Sequence, residues 1–165
     1  RAVGGAEWGR PASATRRGGA PMLAVLLVTH HGSECSQRAA QTAVALAKPH
    51  GAEIFTICVK EPFPYGAVAE LQPTPPQEFF DAQERTAARN VRAVIEACDM
   101  AGVVSHAKTV EGLQAWEAII ENALEQRCDL LVMGSHGRSG LSTLFLGSET
   151  QDVLKHSKIP VLIVR

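Results

Sequence analysis

The chain has 165 residues, 45% of them apolar and 20% charged, with a formal net charge of −1. That is the length of one domain with room for a full hydrophobic core, and the composition of a soluble globular protein. The charge balance excludes a broad nucleic-acid surface, which needs clustered Lys and Arg, and the longest apolar run, residues 22–28, is too short to span a bilayer.

Residues 1–21 are rich in Gly, Ala and Arg, show no period and lack an apolar signal region. They read as a disordered N-terminal extension or leader, ahead of a single domain over 22–165. Residues 23–28 form a continuous Val/Leu run, as expected of a strand buried on both faces. The pattern at 33–48 predicts a helix with Ala39, Ala40, Ala43, Val44 and Ala47 on its apolar face, ended by Pro49-His50-Gly51. A second strand is expected over 54–59. Residues 61–76 carry five prolines, which makes a loop long enough to act as a lid.

Thr74-Pro75-Pro76-Gln77 is a capping box with prolines in the first turn. It opens a helix running to Ala101, whose stripe (Phe80, Ala87, Val91, Val94, Cys98) is broken only by Glu84, and which stops at Gly102. Residues 103–110 read as a weaker third strand and 114–127 as a helix facing inward with Trp116, Ile119, Ile120, Ala123 and Leu124. Trp116 and the pair Phe79-Phe80 are expected in the core. A fourth strand over 129–133, a short helix over 149–157 and a last strand, Val161–Val164, complete the chain. Strands alternating with helices imply right-handed crossovers, hence five parallel strands in a three-layer α/β sandwich. In such sheets ligands lie beyond the carboxyl ends of strands where strand order reverses. The loops at 29–33 and 134–148 are therefore the candidate site.

Cysteines stand at 35, 58, 98 and 128 with no C-x-x-C pair and no zinc-finger spacing. They read as small buried hydrophobes, except Cys35, which lies in a polar loop-to-helix stretch where a helix N-terminus favours a thiolate. His30, His31 and His136 face one cleft, but adjacent residues on an extended chain point apart, which argues against a shared metal. His50, His106 and His156 read as surface positions.

Residues 128–150, "CDLLVMGSHGRSGLSTLFLGSET", carry the most chemistry. A turn needs one or two glycines or serines; residues 134–148 hold four of each. Such a loop lets a ligand approach the main chain, and successive amides beside a helix N-terminus form an anion site. The alternative is structural: Ser148-Glu149-Thr150-Gln151 is itself a capping box, with Ser148 as the cap. There is no G-K-[ST] P-loop and no nucleophile elbow. Nothing pairs a base with a nucleophile, so the available chemistry is binding.

The spacing Gly134-x2-Gly137-x9-Gly147-Ser148 resembles the ATP-binding signature of the universal stress protein family. "DLLVMGSHGRSGL", the closing "IPVLIVR" and the element order from Met22 onward resemble that family too. The resemblance implies an adenine nucleotide alpha hydrolase-like fold with sheet order 3-2-1-4-5, and a cytoplasmic protein of the stress response. It also implies a homodimer through the edge strand Val161–Val164, and regulatory binding of ATP or another adenine nucleotide, with or without Mg²⁺. Carried over by position, Gly134, Gly137, Gly147 and Ser148 would hold the phosphates, while Met133 and Val59 would flank the adenine. Arg138 is the fixed positive charge available to the terminal phosphates.

Two positions depart from the pattern. In "VTHHGSE", His31 stands where the family's ribose-binding Asp is expected, and offers one acceptor in place of about four. Glu149 replaces the usual Val, and a carboxylate facing phosphate at about 6 Å costs roughly 0.7–3 kcal/mol. Both favour a second reading, a nucleotide-free, stress-linked dimeric interaction protein of the same fold.

Overall fold

The computed structural model describes residues 25–29, 32–60, 77–135 and 146–165. Within them nine elements alternate: β1 (Val25–Thr29), α1 (Glu34–His50), β2 (Glu53–Lys60), α2 (Gln77–Ala101), β3 (Ser105–Glu111), α3 (Ala115–Glu125), β4 (Leu130–Gly134), α4 (Ser148–His156) and β5 (Val161–Val164). The strands form one parallel sheet in the order β3-β2-β1-β4-β5. Leu26, Leu27 and Val28 of β1 lie opposite Leu130, Leu131 and Val132 of β4, and opposite Ile54, Phe55 and Thr56 of β2.

Both faces of the sheet are covered, which is why its central strands β1 and β4 are nearly continuous apolar runs. On one face Ala39, Ala43 and Ala47 of α1 and Val94 and Cys98 of α2 pack against Ile54 and Val132. On the other, Ile119 and Ala123 of α3 and Val153 of α4 pack against Phe55, Ile57, Leu131 and Met133. Leu131, Val132 and Met133 thus alternate between the two cores, as the period of a strand requires. Burying a side chain such as Ile119 contributes about 1.5–3 kcal/mol. The alanine face of α1 brings its backbone close to the sheet, and that closeness matters at the site below.

The helix ends follow local chemistry. Ser33 caps α1, its Oγ accepting from the Ser36 amide at 3.2 Å. The helix runs through Pro49 to His50 and is stopped by Gly51, whose φ of 60° is left-handed, a conformation natural to glycine.

Four expectations change. Leu124, expected to face inward from α3, is 56% exposed. Phe80 is 41% exposed and stacks edge-on against Phe79 instead of entering the core. Trp116 is only half-buried and lies flat against the His156 ring, centroids 4.3 Å apart. His106 is no plain surface residue: it is half-buried, stacks on Phe55 at 4.5 Å, and its Nε2 lies 3.2 Å from Glu53 Oε2. The extension 1–21, the proline-rich loop 61–76 and the Thr74–Gln77 box up to Pro76 lie outside the described residues. Among the described residues no helix is long and apolar enough to cross a membrane.

Candidate functional site

The carboxyl ends of β1 and β4 lie side by side at the centre of the sheet, and the chain leaves them in opposite directions. From β1 it enters α1, on one face; from β4 it passes through the glycine-rich segment into α4, on the other. Two helix N-termini therefore meet at one switch point, the place where sheets of this kind take ligands and where partial positive charge gathers.

Gly134 shows how closely the parts approach. A Cβ on it would stand 2.9 Å from the Cys35 carbonyl carbon and 2.9 Å from the Ser36 nitrogen. Its lack of a side chain is thus required by the backbone of α1, whatever the site holds. Next to it, Ser135 is a knot of main-chain bonds. Its amide donates to the Val164 carbonyl of β5 at 2.8 Å, and its carbonyl accepts from the Gly147 amide at 2.9 Å. The two ends of the glycine-rich segment are therefore tied to each other. Thr150, buried at 3% exposure, donates its hydroxyl to the Gly134 carbonyl at 3.2 Å and pins the first turn of α4 to the end of β4.

These bonds alter the roles expected from spacing. The amides of Ser135 and Gly147 are already engaged inside the protein. Gly147, not Ser148, is the N-cap of α4, and it makes no side-chain cap bond. Ser148 is the first helical residue and is exposed, so its hydroxyl stands at the open N-terminus. Val59, half-buried at the end of β2, lies against the β3–α3 turn, its Cγ1 3.5 Å from where a Cβ of Gly112 would be. The Met133 side chain is 3% exposed and belongs to the α3–α4 core, so only its main chain faces the switch point. His31, Gly137 and Arg138 lie outside the described residues, as do His30 and His136. Among the described residues no three His, Cys, Asp or Glu side chains are grouped to hold a metal.

Glu149 does something spacing did not reveal. Its Oε2 accepts from the Trp116 main-chain amide at 2.9 Å. Trp116 is in the first turn of α3, whose N-cap residue, Gln114, makes no side-chain cap. The carboxylate thus supplies from α4 the cap that α3 lacks, and it is aimed at an amide dipole of α3. Asn90 of α2 was also missed; it is buried beside the β1–α1 turn. Neither contact leaves a mark in local sequence, because both join elements far apart in the chain.

None of the four cysteines is in a disulfide. Cys35 is half-buried in the first turn of α1, its Sγ 3.3 Å from Arg38 Nη2 and 3.8 Å from Ser135 Oγ. Cys58, Cys98 and Cys128 are buried. Burial pushes the Cys98 thiol up, and burial with the nearby Asp129 charge pushes Cys128 up to about 12. Iodoacetamide at pH 8 is therefore expected to modify Cys35 first, leaving the other three until denaturant is added, as peptide mass spectrometry will read. A thiol raised in the folded state stabilises fully below its unfolded pKa of about 8.5, and that contribution fades as pH climbs toward the folded value.

The model of the family described as "Universal stress protein family" matches residues 22–165. A universal stress protein of Thermus aquaticus (from a QAH/OAS sulfhydrylase 3′ region) is 34% identical over 145 residues, covering 87% of this chain and 100% of its own. Among solved structures, MJ0577 of Methanocaldococcus jannaschii superposes with a TM-score of 0.73 at 25% identity, over 87% of this chain and 96% of that one. A universal stress protein in complex with cAMP superposes with a TM-score of 0.63 at 26% identity, over 88% and 98% of the two chains.

Proposed function

The chain belongs to the universal stress protein family, and from that premise we propose that it binds ATP or another adenine nucleotide as a regulatory ligand. One observation carries the reading: the N-termini of α1 and α4 converge at the switch between β1 and β4, with Ser148 exposed at the second of them. Two helix N-termini at one point favour a polyanion. The relative in complex with cAMP binds an adenine nucleotide within a similar fold.

In this reading Ser148 and the first-turn amides of α4 receive the phosphates, with Gly137 and Arg138 of the glycine-rich segment. Gly147 opens the helix, and Gly134 admits α1. Val59 and the Met133 main chain flank the base, and His31 meets the ribose. Mg²⁺ accompanies the phosphates. No general base or nucleophile is assigned, so turnover is at most slow and the output is a change of shape or of partner surface. The protein acts in the cytoplasm in a stress response, as a homodimer joined through β5, which lies at the sheet edge and invites pairing.

Calorimetric titration with Mg-ATP, ADP and cAMP tests the reading. A saturable heat is expected, and Ser148→Ala should weaken binding by roughly two- to tenfold, the worth of one hydrogen bond. No heat and no competition at millimolar nucleotide would reject it. The second reading, a nucleotide-free interaction protein, draws support from the internal bonds of the Ser135 and Gly147 amides and from His31. Glu149 no longer counts for it, because its carboxylate is turned to α3.

A further inference from the structure

The stripe of α2 that packs on the sheet is apolar but for Asn90. It lies between Ala87, Val91 and Val94, all buried. Its side chain is 5% exposed, and its Nδ2 has no hydrogen-bond partner among the described residues. A buried amide donor left without an acceptor is costly, and an apolar side chain of similar shape would serve the packing better. Stability alone therefore does not account for this residue.

Its surroundings give the account. The Asn90 carboxamide faces Gly32, in the turn between β1 and α1. A Cβ on Gly32 would lie 2.9 Å from Asn90 Oδ1 and 3.5 Å from its Nδ2. Gly32 has φ +75° and no side chain, so its flanking peptides rotate at small cost. The turn it belongs to leads from the end of β1 to the Ser33 cap of α1, at the switch point where the nucleotide is proposed to sit. An orphaned donor thus lies beneath a pivot of that site.

We propose that Asn90 is a positioning residue that couples the Gly32 turn to ligand, its Nδ2, without a partner among the described residues, donating to the Gly32 carbonyl once nucleotide is bound. The donor unsatisfied in one state and satisfied in the other adds to the preference for the bound form. The inference rests on the nucleotide reading above.

The test uses the full chain, Mg-ATP as probe, and two measurements. Asn90→Leu removes the orphan while keeping the volume. Its nucleotide-free Tm is expected to rise by about 2–4 °C, while its Kd for Mg-ATP weakens by about tenfold. A merely structural Asn gives the opposite pair, a lower Tm with Kd within twofold of wild type, and that result overturns the proposal. Should the variant fail to fold, the ¹⁵N side-chain resonance of Asn90 in the wild-type protein decides. It must move downfield on saturation with Mg-ATP, as a newly bonded amide does; no movement on a saturated protein overturns the coupling. A wild-type protein that binds no Mg-ATP is a different failure, seen before any variant is made, and it removes the nucleotide reading together with this one.

Discussion

Gly134→Ala is expected to lower the Tm by roughly 2–12 °C and to abolish tight binding of Mg-ATP. The added methyl meets backbone, the Cys35 carbonyl carbon and the Ser36 nitrogen at 2.9 Å, and a helix backbone cannot swing aside as a side chain can. Overpacking of this kind costs about 1–3 kcal/mol, and in a domain of this size each kcal/mol shifts Tm by about 2–4 °C. Binding suffers with it, because whatever moves α1 away from β4 also moves one of the two helix N-termini off the switch point. Thr150 and Ser135, which bond to the same corner, pass the displacement on to α4. Gly51→Ala is the control. Nothing lies within 4 Å of its Cβ position, so only the left-handed φ is strained, at about 1–2 kcal/mol, and nucleotide affinity should hold. Thermal denaturation and calorimetry on the two variants separate the cases; equal affinity in Gly134→Ala and wild type removes α1 from the site.

The comparison of Gly134 with Glu149 marks how far the sequence could be read. The order of strands and helices was legible because burial on two faces makes the central strands largely apolar, while helices must show their period. Boundaries moved by at most two residues. Helix α1 runs on through Pro49 to Gly51, and α4 begins one residue early, so that Gly147 and not Ser148 holds the cap position. The glycine spacing drew attention to this segment, and the structure adds a reason for Gly134 that spacing does not carry, the close approach of the α1 backbone. A ligand and a neighbouring helix ask for the same thing, a missing Cβ, and only coordinates tell them apart. Thr150, Asn90 and Glu149 were illegible in their roles for one cause. Each bonds or abuts a residue at least fifteen positions away, on another element of the sandwich, and no local pattern records such a contact.

Glu149 turns that lesson into a measurement. Placed by spacing alone beside Ser148, its charge opposes phosphate, and removing it should tighten nucleotide binding by as much as a hundredfold. Placed by the structure, its carboxylate accepts from the Trp116 amide and caps a helix whose own N-cap residue makes no side-chain bond. Glu149→Ala then leaves that amide without its acceptor. Loss of a cap costs about 0.5–2 kcal/mol, and the α3 dipole loses a favourable negative charge as well, so the Tm should fall by roughly 2–8 °C. Mg-ATP affinity should change by less than about threefold, since the charge removed was partly spent on another dipole. Glu149→Gln separates charge from bond. It retains an oxygen acceptor, so it should recover most of the Tm while carrying no charge. A Glu149→Ala protein that keeps its Tm and binds Mg-ATP at least tenfold more tightly would mean that the carboxylate faces the phosphates, and the cap on α3 would then hold nothing in place.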